Sequence, residues 1–281
     1  MGQPLTFEVS EGASHHGGRR TATGHFSRDW EDEEEMDRLQ EQFDAGTVDD
    51  NTVIKKVRQL LTKHPDNMEL LNFLGSQLWD VGLRDEASSL WETGHKIGAS
   101  LIPKGFKGEI SWYETDNQSF LRVTHGHVLG LAHLGRYRQA LALAKKLLHW
   151  NPSDNQGVRL LIGDFMMKLG DHNGAMKLFL KGAQHYPTFW YRAALVAFRD
   201  GDFVRACTYL RCGIAGNPYV AEGLTGRTLL ADHLYWHGSN VSGCDWAIDE
   251  YLQSPVNDWK DDEVDFVDWV FNCSDVLRER A

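Results

Sequence analysis

Three times the sequence sets a glycine, an alanine and a proline at one fixed spacing, G-x4-A-x11-P. The sets are Gly135, Ala140 and Pro152; Gly170, Ala175 and Pro187; Gly201, Ala206 and Pro218. Random order would rarely yield even one such triple, so this span is read as a repeat. A fourth, partial copy has Gly82 and Ala87, with Ala99 in the proline position. The spacing has a mechanical meaning. A glycine after a helix takes the left-handed conformation that a Cβ would penalise. An alanine lets a second helix approach the first closely. A proline, without an N–H and with a ring that clashes with the preceding turn, stops the second helix. Each unit is then a helical hairpin of about 34 residues.

The wider chain is compatible with this. It has 281 residues, 42% of them apolar, including ten tryptophans, which argues against wholesale disorder. No apolar run is long enough to cross a membrane. The N-terminus lacks the cationic start and apolar stretch of a secretory signal. The four cysteines, Cys207, Cys212, Cys244 and Cys273, form no CxxC and no dense framework. They read as thiols of a reducing, cytoplasmic compartment. The net charge is −11, and it gathers in two places. Residues 29–44 hold nine acids and one arginine, and 258–268 hold six acids and one lysine. No basic stripe exists, which excludes a typical nucleic-acid binder. The acidic runs read as solvated helix faces.

The full pattern resembles the tetratricopeptide repeat family: a small residue eight positions in, then Gly, Ala, an aromatic and Pro. "QGVRLLIGDFMMKLGDHNGAMKLFLKGAQHYP" matches best, through Gly163, Gly170, Ala175, Phe179 and Pro187. "MELLNFLGSQLWDVGLRDEASSLW" matches through Gly75, Gly82, Ala87 and Trp91. "LRVTHGHVLGLAHLGRYRQALALAKKLLHWNP" keeps Gly135, Tyr137, Ala140 and Pro152 but has Val128 in the small position. "PTFWYRAALVAFRDGDFVRACTYLRCGIAGNP" adds Ala194, Gly201, Phe203 and Ala206. The stretches "FLR" and "NPSDNQGVR" look like a bacterial branch of such proteins, from which no activity carries over.

The resemblance implies an all-α solenoid of helical hairpins closed by a C-terminal helical cap. Residues 1–28 are expected to be a disordered tail, 29–67 an acidic helix and a half-repeat, and 68–218 four repeats. An insertion at 95–120, rich in Gly and aromatics, should be a surface loop over the array. Residues 219–281 should cap the last apolar face with helices near 219–237, 242–253 and 261–279.

Helix entrances carry polar signals. Ser153 with Gln156 fits a capping box, and Asp154 fits an N-cap. Asp66 with Glu69 repeats the arrangement, and Asp116 or Asn117 could cap a helix entered at Phe120. His233 and His237, four apart, have the spacing of metal ligands on one helix face. Without an HExxH or a third ligand, packing is the simpler role, and His125, His127 and His133 are treated alike. "MGQPLT" fits an N-myristoylation signal, one that a single chain would make a weak anchor. No nucleophile elbow, phosphate loop or catalytic cysteine context occurs, so neither catalysis nor a cofactor is expected.

In the resembled fold the first helix of each repeat lines a concave groove. The matching positions here are Asn72, Trp79 and Asp80; Arg122, His125, Leu129 and His133; Leu160, Asp164 and Lys168; Tyr191, Leu195, Phe198 and Arg199. Their mixture of aromatics, charges and amides suits a peptide or helix of a protein partner. The family's clamp for chaperone C-terminal carboxylates needs Lys and Asn where this chain has Asn72, Ser76, His125, Leu129, Leu161, Thr188 and Arg192. That function is therefore not expected. The expected protein is a non-enzymatic adaptor or scaffold. The competing readings are a metal-dependent regulator or enzyme using His233 and His237, and a self-assembling structural subunit. Homo-oligomers are compatible with all three.

Overall fold

A computed structural model describes residues 5–13, 20–27, 33–226, 235–236, 239–240, 259–273 and 275–276. The chain divides into two compact units, 1–158 and 159–281. The first opens with strands β1 (Thr6–Ala13) and β2 (Arg20–Ser27), followed by helices α1 (Glu33–Asp44) and α2 (Asp50–Lys63). Two hairpins follow: α3 (Met68–Asp80) with α4 (Arg84–Leu101), and α5 (Thr115–His133) with α6 (Tyr137–Trp150). The second unit holds α7 (Val158–Lys168) with α8 (His172–Gly182), then α9 (Thr188–Arg199) with α10 (Phe203–Gly216). It continues with α11 (Pro218–Leu224), the short strands β3 (Tyr235–Trp236) and β4 (Ser239–Asn240), and α12 (Asp261–Phe271).

The glycine and alanine of each repeat do what their spacing implies. Gly82, Gly135, Gly170 and Gly201 all take positive φ, between 69° and 87°, at the turn between paired helices. Ala87, Ala140, Ala175 and Ala206 are fully buried in the partner helices. Pro152 stands just past the end of α6, as expected of a helix stop, but the other two prolines behave differently. α8 already ends at Gly182, and Pro187 stands immediately before α9. Pro218 is the first residue of α11. Proline's fixed φ and missing N–H suit a helix start, so at these two positions it begins the next helix.

Small residues also set helix spacing in the first unit. The Trp91 ring of α4 lies against Gly75 of α3 and Gly126 of α5, where any Cβ would collide with it. Three helices thus close around one indole.

Residues 6–13 and 20–27 correct the expectation of a disordered tail. β1 and β2 pair antiparallel with Phe7 opposite Phe26. Phe26 is buried and packs 4.8 Å from the Phe120 ring of α5. The Phe26 N–H donates to Asn117 Oδ1 at 2.9 Å, and Asn117 Nδ2 donates to the Gly24 carbonyl at 3.1 Å. The expected insertion at 95–120 is shorter, because α4 runs to Leu101 and α5 begins at Thr115. The connecting loop adds a parallel bridge between Glu109 and Thr23. Its Ile110 is buried and donates its N–H to the Trp150 carbonyl at 2.7 Å. The acidic α1 turns Met36 and Leu39 inward and brings Phe43 edge-on to Phe73 of α3.

In the second unit one apolar cluster joins Phe179, Phe189, Tyr191, Leu210 and Ile214 to Val267, Val270 and Phe271 of α12. The C-terminal segment therefore does close an apolar face. The helix expected at 219–237 stops at Leu224, and Tyr235–Trp236 pairs instead with Ser239–Asn240. The helix expected at 242–253 lies outside the described residues.

Candidate functional site

The first helices of the two hairpins in the first unit, α3 and α5, lie in contact side by side. Their shared face carries most of the accessible candidates. Trp79 is half-buried near the end of α3, its ring 5.3 Å from Trp91. The His133 ring meets Trp79 edge-on at 5.7 Å, and the Arg84 guanidinium sits 5.2 Å from the same indole. His133 Nε2 lies 3.2 Å from Asp85 Oδ1. Asn72 and Leu129 are half-buried on the face. Asp80 is exposed; partial desolvation and then repulsion from Asp50 raise its pKa. The arrangement offers an aromatic platform with both charge signs at its edge.

Arg122 is tied down. It donates to Glu69 Oε1 at 3.2 Å and to Gln118 Oε1 at 3.0 Å, and it lies 5.4 Å from the Trp112 ring. Beside it, Leu5, Phe26, Met36, Glu69, Asp116 and Ser119 help to line a cavity of about 230 Å³. Arg122 thus belongs to this cavity wall.

Of the histidines of α5, His125 and His127 are half-buried and His133 is exposed. Burial pushes His125 down to about 4. Burial, with help from the neighbouring His127 and Lys146, pushes His95 of α4 down to about 4. His127 is lowered mainly by burial. His95 stacks 5.3 Å from His127, and its Nδ1 is 3.0 Å from Thr124 Oγ1. Desolvation keeps these rings neutral near pH 7. Among the described residues, no three His, Cys, Asp or Glu gather where a metal ion could sit. His233 and His237 lie outside those residues.

The second unit corrects four candidates. Leu160, Asp164, Tyr191 and Leu195 are buried and cannot line an open groove. Asp164 is paired with Arg192 of α9: Nη2 donates to Oδ2 at 3.1 Å, and Nε lies 3.0 Å from Oδ1. Both side chains are almost wholly removed from water, where the opposite charge offsets part of the desolvation of each. The Tyr191 hydroxyl donates to the Asn217 carbonyl at 2.6 Å. Arg199 and Phe198 are covered in part by α12. Arg199 forks onto Glu263, with Nε to Oε1 at 2.6 Å and Nη2 to Oε2 at 3.0 Å. The Phe198 ring lies 4.9 Å from Phe266. Lys168 alone of the α7 candidates is exposed.

The entrance signals are resolved too. Asp154 Oδ1 accepts from the Val158 N–H at 2.6 Å, with Asp154 itself at φ 56°. Gln156 turns away from its own helix and donates to the Leu121 carbonyl at 3.2 Å. The α3 cap is Asn67, which accepts from the Glu69 and Leu70 N–H groups, while Glu69 serves Arg122 and Ser119. Asn117 holds the β-hairpin, and α5 starts at Thr115 without a side-chain cap.

These elements define the class: a protein of packed helical-hairpin repeats with a small N-terminal β-hairpin. The tetratricopeptide repeat family model matches residues 131–197. A solved MamA protein is similar over 70% of this chain and 96% of its own, at 14% identity and a TM-score of 0.50. A MamA double mutant covers 64% of this chain and 90% of its own, at 11% identity and a TM-score of 0.50. YrrB, described as a tetratricopeptide repeat protein with an unusual peptide-binding site, covers 63% and 81% at 13% identity and a TM-score of 0.47. At such identities the likeness is one of fold. No curated protein sequence matches significantly. No described helix is long and apolar enough to cross a membrane.

Proposed function

We propose that the chain is a non-catalytic adaptor that binds a peptide or helix of a protein partner on the α3–α5 face of its first unit. The carrying observation is the half-buried Trp79, backed by Trp91 and edged by Arg84 and His133. Rigid aromatics beside arginine are the usual energetic anchors of a protein interface. Tetratricopeptide repeats, the family matched at 131–197, commonly serve protein–protein contacts, which supports the reading. Cys207, Cys212 and Cys273 are free thiols, which fits a reducing, cytoplasmic setting.

The test is capture of partners by the full chain and by a Trp79→Ala/His133→Ala variant, with the melting temperature of each. A polypeptide held by the wild type and lost by an equally stable variant is the expected result. Equal capture by both would refute this site. Retention of nothing by either would refute the adaptor role.

A further inference from the structure

The second unit carries a row of four aromatic rings across three helices. Phe203 opens α10, Phe198 lies near the end of α9, and Phe266 and Trp269 stand about one turn apart on α12. Successive ring centroids are 5.2, 4.9 and 6.2 Å apart. The two ends are open to solvent: Phe203 is 57% exposed and Trp269 is 62% exposed. Val204, beside Phe203, is exposed as well. α12 already fixes itself to the core through Val267, Val270 and Phe271. Trp269 is therefore not needed to hold the helix, and a solvent-facing indole is the residue type that most often anchors a partner.

The rim of this row is acidic. α12 has five acids and no base between Asp261 and Phe271. Glu263 is turned inward to Arg199. Asp262 and Asp265, both exposed, precede Trp269 by seven and four residues. On a helix those spacings put all three side chains on one face.

We propose that this row is a second docking surface, whose occupant is an arginine-bearing amphipathic segment of another polypeptide. The charge argues for it. A guanidinium can lie over the Trp269 ring while its fork donates to a neighbouring carboxylate, a pairing that lysine makes less well. The apolar side chains of the same segment would cover Phe266 and Phe203. A second copy of this chain is the weaker occupant, because two chains of net charge −11 repel each other. The surface differs from the α3–α5 face in its unit and its residues, and its rim is acidic where that face carries both signs.

The test uses the full chain and a fluorescein-labelled amphipathic helix of Leu, Ala and Arg, about 16 residues long so that it holds helical structure. Anisotropy titrations are run beside peptides with Lys or Glu in place of Arg. Binding is expected to rank Arg, then Lys, with none for Glu, and to weaken in salt. Trp269→Ala, and separately Asp262→Asn/Asp265→Asn, should each raise Kd about tenfold or more, the scale expected of an anchor residue. Both sites are exposed, and circular dichroism will confirm folding. Glu34→Gln/Glu41→Gln, which neutralises part of the other acidic run, should leave Kd unchanged. Three results overturn the proposal: an unchanged Kd in the α12 variants, an equal loss in the α1 variant, or a wild-type oligomer in light scattering that Trp269→Ala dissociates.

Discussion

The first helices of the repeats have the same pattern in both units but opposite fates. In the first unit, Trp79, Leu129 and His133 stay accessible on α3 and α5. In the second, Leu160, Asp164, Tyr191 and Leu195 are buried, and α12 lies across Phe198 and Arg199. The G-x4-A-x11-P spacing governs how one helix folds back on its partner. It says nothing about what a later segment lays over the pair. Openness is thus decided by the chain's remainder, and the same groove position can be a contact surface in one repeat and core in another.

The largest expected effect tests this contrast between core and surface ion pairs. Arg192→Ala removes the guanidinium from the buried Asp164 carboxylate and should cost about 3–5 kcal/mol. Arg122→Met breaks a half-exposed pair with Glu69 and should cost under about 1 kcal/mol. Urea unfolding followed by circular dichroism measures both, and similar losses would erase the contrast.

Next is acid sensitivity of the first unit. His95 and His125 have folded pKa values near 4 against an ordinary 6.5. Between those values the unfolded chain binds more protons than the folded one, so stability falls as pH falls from 6.5 toward 4. Each ring accounts for up to about 3 kcal/mol by the bottom of that window. A His95→Asn/His125→Asn variant should show a flatter loss of melting temperature over this range than wild type. A parallel decline in both proteins would show that the loss comes from other groups.

The smallest effects concern caps. Asp171 and Asp202 accept from N–H groups three residues on, at the starts of α8 and α10. Leu83 and Arg136 stand at the matching positions before α4 and α6 with nearly the same backbone angles and no side-chain cap. Asp171→Ala should destabilise by about 1 kcal/mol, and Arg136→Asp should stabilise by a similar or smaller amount. Thermal melts of the two variants decide whether the uncapped turns of the first unit are a real deficit.

Much of this fold was readable because the repeat is written in local backbone requirements. A left-handed turn wants glycine, and close helices want alanine, wherever they occur. The pairing of β1 with β2 was not readable, because its partners are Asn117 and the loop around Glu109, far along the chain. Caps were half readable. The polar clusters were in the right places, yet Asn67 displaced Asp66, and Gln156 reached across to Leu121. Of the candidate groove, Trp79 and His133 stand as accessible, while the Asp164–Arg192 pair depends on two helices whose contact no single segment encodes.

The hydrogen bond from Asn117 to Gly24 spans 93 positions of sequence. A ribosome adds about 5–20 residues per second, so the hairpin waits roughly 5–20 s for its anchor to be made. A lone two-stranded hairpin is marginal in water. The two strands therefore emerge before their anchor and are secured late, which makes this the interval in which their edges are exposed to other nascent chains.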